Sequence, residues 1–368
     1  MEGTPGDQAT VNKLPKIRFT VYLLGLAGAA LFTILIVHQG VHDVVRAVAT
    51  AGWWMAAIAA YHLFPLFLDA FEWWILFPPN DRLSIRTMYW ARWLGESFAN
   101  LVPAAQVGGD ILRTRLVVLR GASIPVATAA VLVDITVSVF IQTLFTLSGV
   151  SLLIRVTGQT NLLGPSLAGA PVAMALVAGF YFVQRFGLVR LFGAVVSRCA
   201  KDAKWRSLVG KGGQVDQTLR KVYGRIPAVA ACCAVTMTSF VVGSGEVWIG
   251  LHALGVPAGF DKALILESIG QGVQSALCFI PGSLGVREGG YLVVGHMLGI
   301  SGDVALALAL IRRVREITIG IPGLIAWQLI EGRQFLQTSL RTSLTPAIQK
   351  YPNLADSQAM SECQRRSD

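Results

Sequence analysis

The sequence predicts an all-α, polytopic membrane helix bundle. Three observations carry this: the composition, a set of long apolar stretches, and two matching segments broken by Pro and Gly. Of 368 residues, 54% are hydrophobic and 14% charged, with a mean hydropathy of +0.58. A soluble domain carries about 25% charged residues and about 45–50% apolar ones. The shortfall leaves too little polar surface to cover a water-soluble fold of this length. A soluble enzyme, a secreted disulfide scaffold and a disordered chain are excluded on that ground. Cys199, Cys232, Cys233, Cys278 and Cys363 form no CxxC pair and no ligand-like spacing with His. No disulfide, metal or other cofactor is expected.

About 20 helical residues cross a hydrocarbon core of about 30 Å. Stretches near 19–38, 52–77, 124–153, 163–183, 227–254 and 304–330 are long and apolar enough. The first ends at Ile36–Gly40 without a small-x-small cleavage site, so it reads as a retained anchor. The second carries Trp53–Trp54 at one end and Trp73–Trp74 at the other. Twenty helical residues separate them by about 30 Å, as two interfacial belts would be. Residues 1–15 and 341–368 read as disordered tails flanking a membrane domain over 16–340.

The basic residues orient the spans. Segments 1–18, 78–92, 110–123, 184–226 and 331–368 hold 24 of the 31 Lys and Arg, while the opposite loops hold Arg46, Arg155 and Lys262. The positive-inside rule then places both termini in the cytoplasm. The net charge of +10 therefore reports topology rather than nucleic-acid binding. Loop 184–226, with ten basic residues, fits anionic inner-leaflet lipid, since no nucleic-acid motif accompanies it.

Two moderately apolar segments are too interrupted for simple spans: WLGESFANLVPAAQVGGDILR (93–113) and GQGVQSALCFIPGSLGVREGG (270–290). At an offset of 178 residues Ser97 falls on Ser275 and Pro103 on Pro281. After one deletion Gly108 falls on Gly285, and Gly121 and Ser123 then fall on Gly299 and Ser301. Upstream, FEWWIL (71–76) resembles GEVWIG (245–250), setting Glu72 on Glu246. The expected topology sends the first segment in from the cytoplasmic face and the second from outside. Repeats near 52–153 and 227–330 are thus expected to be inverted, each with a re-entrant segment lining a midplane site. Non-helical backbone at that depth survives only inside protein or against a water-filled cavity.

A charged side chain at mid-bilayer costs at least about 2.5–3.5 kcal/mol, so each needs a partner or a function. On helix 52–77, His62, Asp69 and Glu72 share one side, with Glu72 near enough to the inner belt to reach water. Glu246 and Glu267 raise the same question in the second half. Asp134 and Arg312 both lie about 13–15 Å deep, at equivalent places in the two repeats. Asp134 is expected to neutralise an Arg of the last helix while Glu316 pairs with Arg312. Arg312, Arg313 and Arg315 then leave one positive charge over. Backbone carbonyls exposed at the Pro/Gly breaks could cap it, or it could bind a passing phosphate or carboxylate. In VGGDILRTR, Asp110 reads as the N-cap of a helix that begins there, with Arg113 and Arg115 nearby for a phosphate. Arg287 and Glu288 read as a local pair, and Gln106, Gln271 and Gln274 as hydrogen-bonding groups for a headgroup or for each other.

NLVPAAQVGGDILR, IPGSLGVREGG and ALALIRRVREITIGIPG together resemble the membrane domain of lysylphosphatidylglycerol synthases, the flippase-like family. The resemblance covers roughly residues 15–335. WARWLGES, PAAQVGGD, GEVWIGL, LESIGQ and PGSLGVREGG are similar to the subgroup associated with bacterial hopanoid biosynthesis. It implies an inner-membrane protein that moves or presents a lipid between leaflets. It assigns Asn100, Pro103, Gly108, Gly109, Asp110 and Arg113 to the first family motif. Pro281, Gly285, Glu288 and Arg313, or Arg312, belong to the second. Val133–Asp134 departs from the family pattern, where many members have a Glu-Arg pair. The cytosolic aminoacyl-transferase domain is absent from this sequence, so lipid aminoacylation is not implied.

There is no GxSxG, HExxH, Walker or dinucleotide motif. The expected function is lipid translocation or handling, for hopanoid, a phospholipid or another anionic lipid. One alternative is a membrane-embedded enzyme acting on a headgroup through Glu72, Glu96 or Glu246. Another is a non-transporting scaffold for lipid-biosynthetic enzymes, for which only the basic loop argues.

Overall fold

The computed structural model describes residues 52–101, 105–158, 203–276 and 286–350, with a few isolated positions between 171 and 182. The side chains of 105–107, 203–212, 286, 288 and 330–350 are not among them. The described residues are helical throughout, apart from turns and one 3-10 turn. In chain order the helices are α1 (Trp54–Leu76), α2 (Ile85–Leu101), α3 (Ala105–Leu119), α4 (Ile124–Thr157) and α5 (Ala203–Gly224). They continue with α6 (Ile226–Ala253), α7 (Phe260–Ala276), α8 (Val286–Met297) and α9 (Gly302–Lys350).

By length and composition α1, α4 and α6 can cross a membrane. Their bounds lie within a few residues of the stretches 52–77, 124–153 and 227–254. The stretches 19–38 and 163–183 lie outside the described residues, apart from isolated helical positions in the second. Stretch 304–330 falls in α9, interrupted by Arg312, Arg313, Arg315 and Glu316. That helix runs to Lys350, ten residues into the stretch read from the sequence as a tail. The chain divides after Ile321 into two compact units, and every contact described below lies within the first.

Element ends follow local chemistry. Pro residues occupy the first turns of α4 and α6, where a missing N–H costs nothing. α4 stops at Gly158, whose φ of 68° admits the left-handed cap. The basic loop 184–226 is not wholly irregular, because α5 occupies its second half. Val215, Leu219 and Val222 are buried on a helix packed against α4, while Arg220 and Lys221 face outward.

The repeat is visible in the backbone. α3 ends at Leu119 and α8 at Met297, and α4 begins at Ile124 and α9 at Gly302, both at the 178-residue offset. The intervening turns match bond for bond. Gly121 (φ 107°) donates to Val118 O at 3.1 Å and Ala122 to Val117 O at 3.1 Å. Gly299 (φ 74°) donates to His296 O at 3.1 Å and Ile300 to Gly295 O at 2.8 Å. Both glycines supply the positive φ that this helix ending requires.

Each Pro/Gly segment belongs to a helical pair packed side by side, α2 with α3 and α7 with α8. The pair α2–α3 closes over glycine: a Cβ on Gly95 would lie 2.9 Å from Gly109 O. Direct backbone contact of this kind is the use of small residues between membrane helices.

Equivalent helices α1 and α6 lie together and run antiparallel. Tyr61 donates to Val242 O at 2.9 Å, His62 meets Glu246 at 2.7 Å, and Ser239 donates to Asp69 at 2.5 Å. As numbers rise along α1, they fall along α6. The second half therefore retraces the first in the opposite direction. Leu66, Ala70 and Trp73 of α1, with Val133 and Val137 of α4, are buried in the first half. Leu251, Ile265, Leu266, Tyr291 and Leu308 form the corresponding core of the second.

Candidate functional site

Buried charges gather along the α1–α6 seam and on the helices beside it. In the first half, Arg113 of α3 is 3% exposed and reaches Asp134 of α4 at 2.7 Å and Asp110 at 2.8 Å. Its guanidinium lies 4.8 Å from the centre of the Trp73 ring. Arg92 of α2 stands 3.4 Å from Asp134 and 3.3 Å from Asp69 of α1. Glu72 is 1% exposed, and one of its oxygens has no hydrogen-bond partner. It does not reach water as its position near the helix end suggested.

In the second half, Arg312 of α9 binds Glu267 of α7, and the Tyr291 hydroxyl of α8 bridges the two at 3.1 Å to each. Gln271 donates to the same Glu267. Arg287 of α8 donates to Glu316 at 3.0 Å and to Gln274, so its charge is met from α9 and α7. Arg313 donates to Glu316 at 3.1 Å, and Arg315 sits 3.2 Å from Glu246.

The expected pairing of Asp134 with Arg312 or Arg313 is therefore wrong. So is the expected pairing of Glu316 with Arg312. Asp134 and Arg312 do occupy equivalent places, but each faces the helical pair of its own half. At the 178-residue offset the Arg113–Asp134 contact corresponds to Tyr291–Arg312, a hydroxyl standing where the first half has its Arg and an Arg where it has its Asp. The N-cap reading of Asp110 fails as well. α3 begins at Ala105, so Asp110 lies inside the helix, where its backbone carbonyl accepts from Thr114 at 2.7 Å. Gly108 and Gly109 are helical, and Gly109 serves close packing on α2 rather than a phosphate cradle.

The charge balance also reverses. Asp69, Glu72, Glu96, Asp110, Asp134, Glu246, Glu267 and Glu316 face Arg92, Arg113, Arg287, Arg312, Arg313 and Arg315. In this cluster eight carboxylates stand among six guanidinium groups, so the surplus positive charge read from the sequence is absent from it. Pro103, Pro281 and Gly285 lie outside the described residues, as do the side chains of Gln106 and Glu288.

A small open cleft lies between α1, α2 and α9. His62, Trp93, Glu96, Asn100, Arg315 and Glu316 line it. Asn100 donates to Glu96 at 3.5 Å, and Glu96 meets His62 at 3.1 Å. Of the residues assigned by sequence, Asn100, Arg315 and Glu316 come together here. Sequence reasoning does not single out Arg92 or Tyr291. Arg92 falls among the cytoplasmic charges by position, although its four-residue spacing from Glu96 on one helix is a usable signal.

These features define a helical membrane protein built from two oppositely running halves around buried ion pairs. Residues 22–323 match the family model described as the lysylphosphatidylglycerol synthase TM region, and the chain belongs to that family. No curated protein matches the chain.

Proposed function

We propose that this protein is a lipid translocase of the bacterial inner membrane, with both termini in the cytoplasm. It moves a polar-headed lipid such as a hopanoid or phospholipid between leaflets and alters no covalent bond in its cargo. Family membership supports a lipid-related membrane role. The observation that carries the finer reading is the antiparallel α1–α6 seam. Two opposed repeats meeting at a midplane site suit alternating access, in which one half rocks against the other. The resemblance to the hopanoid-associated subgroup supports a hopanoid cargo.

The cleft chemistry refines the class of headgroup. Carboxylates of Glu96 and Glu316 stand beside the donors Asn100 and Arg315. Such a mixed lining suits a headgroup with hydroxyl or amine donors better than a bare phosphate, because the arginines are already neutralised. Basic residues in 184–226, Arg220 and Lys221 among them, would hold the cytoplasmic face against anionic inner-leaflet lipid.

Leaflet-resolved analysis of reconstituted vesicles tests the reading. Fluorescent lipid carrying a hydroxyl-rich or an amine headgroup, protected from a membrane-impermeant quencher, should lose that protection faster with protein than without. Equal rates in both vesicles would sink it. A change in headgroup mass would instead favour headgroup chemistry, a reading supported by His62 and Glu96 lining the same cleft.

A further inference from the structure

His62 stands where α1, α2, α6 and α9 meet. Its Nε2 lies 3.1 Å from Glu96 Oε1, and its Nδ1 lies 2.7 Å from Glu246 Oε1. Arg315 sits against the same Nδ1 and is 3.2 Å from the other oxygen of Glu246. A neutral imidazole has one N–H and one lone pair. It can donate to only one of the two carboxylates, and its lone pair would face the other. The imidazolium donates to both. The Nε2 proton is the one that faces Glu96; when it leaves, Nδ1–H still donates to Glu246, beside Arg315. Both protonation states therefore find partners in this arrangement, and they differ in whether the ring carries a charge and donates to Glu96.

We propose that His62, Glu96, Glu246 and Arg315 form a proton-binding site that couples lipid movement to a transmembrane proton gradient. The coupling rests on the lipid-translocation reading; the site itself does not. Its four side chains come from both halves of the repeat, on four separate helices. Proton access is one-sided: the Glu96 side chain keeps 26% of its surface and lines the cleft, whereas Glu246 keeps 3%. The Nε2 proton passes to the Glu96 carboxylate, an O–H bond forming there as the N–H bond breaks, and then to cleft water. Its loss turns the charged His62–Glu246 pair, one of the polar links across the α1–α6 seam, into a weaker hydrogen bond from a neutral ring, and so loosens one half against the other.

Other charged and titratable groups face the cluster from each packed helix. Tyr61 and Asp69 come from α1, Tyr89 and Arg92 from α2, and Arg312 and Glu316 from α9. Arg92, Arg312 and Arg315 compensate the carboxylates in either state. The exchangeable charge is then the single proton on the imidazole.

Nitrogen-15 NMR of histidine-labelled full-length protein in lipid nanodiscs reads the site without any transport assay. Comparison with His62→Gln assigns the signals. If that variant does not fold, Glu96→Gln assigns them through the shift of the ring nitrogen it contacts. The expected result is an imidazolium at neutral pH that loses its Nε2 proton on alkalinisation. In vesicles, lipid movement should respond to an imposed pH gradient, and the response should disappear in Glu96→Gln. A neutral imidazole with one fixed tautomer across the titration would overturn the site. Lipid movement indifferent to the gradient would overturn the coupling. Absence of lipid movement under any gradient would sink the translocase reading, and NMR would still decide the proton site.

Discussion

Removing Asp134 alone should destabilise the protein through Arg113, and the size of the effect follows from what Arg113 keeps. Arg113 is 3% exposed, so it cannot turn its guanidinium to water when the 2.7 Å contact goes. Breaking a buried pair from one side costs about 3–5 kcal/mol. Asp110 at 2.8 Å and the Trp73 ring remain, which sets the expected loss for Asp134→Ala at the lower end, about 3 kcal/mol. Arg113→Leu in the same background removes the stranded charge, and a coupling of about 2 kcal/mol should appear in the double-mutant cycle. The matching cycle of Asp134→Ala with Arg312→Leu should be additive to within about 0.5 kcal/mol, because Arg312 is held by Glu267 and Tyr291. Thermal unfolding of purified protein in one detergent gives the energies, and membrane abundance gives an independent reading. Rescue of Asp134→Ala by Arg312→Leu and not by Arg113→Leu would refute the Arg113–Asp134 pairing.

Packing and topology give further tests. Gly95→Ala should destabilise by about 1–3 kcal/mol, because the new methyl would meet the Gly109 carbonyl at 2.9 Å and Arg113 Cβ at 3.1 Å. Gly213→Ala, exposed within α5 with nothing near its added methyl, should be neutral or stabilising by up to about 1 kcal/mol. Equal unfolding midpoints for the two variants would contradict the close α2–α3 contact. In a cysteine-free background, a membrane-impermeant maleimide added to intact cells should modify His252→Cys at the far end of α6 and spare Arg220→Cys in α5. Modification of both, or of Arg220→Cys alone, would reject the cytoplasmic placement of α5.

The sequence carried what depends on the backbone and the solvent. Spans α1, α4 and α6 were legible because lipid-facing helices must be apolar along their length. The match of Gly121 to Gly299 was legible because a positive φ selects glycine whatever surrounds it. Side-chain partners were not. Asp134 and Arg312 share a depth, but depth fixes one coordinate of three, and rotation about each helix decides which neighbour a charge meets. Gly108–Gly109 before Asp110 reads as a helix break because an isolated helix disfavours glycine. The structure spends that cost on bringing α3 against α2, a reason that exists only once both helices are present.

The repeat itself still contained the missing information about the seam. When two copies of one unit face each other in opposite directions, equivalent elements touch only where the relating axis passes between them. α1 and α6 touch in that way, so residues before the crossing on one helix meet residues after it on the other. Asp134 and Arg312, on helices equivalent to each other but away from that crossing, each face their own half. Equivalence between repeats therefore predicts direct partners at the axis and parallel but separate environments elsewhere. This distinction separates two kinds of buried charge in the protein. Charges within one half, such as Arg113–Asp134 and Arg312–Glu267, move with that half and hold it rigid. Charges across the seam, His62–Glu246 and Asp69 with Ser239, stretch or break whenever the halves move. Any ion that drives such movement has to act on the second group, in which His62 reaches the cleft through Glu96.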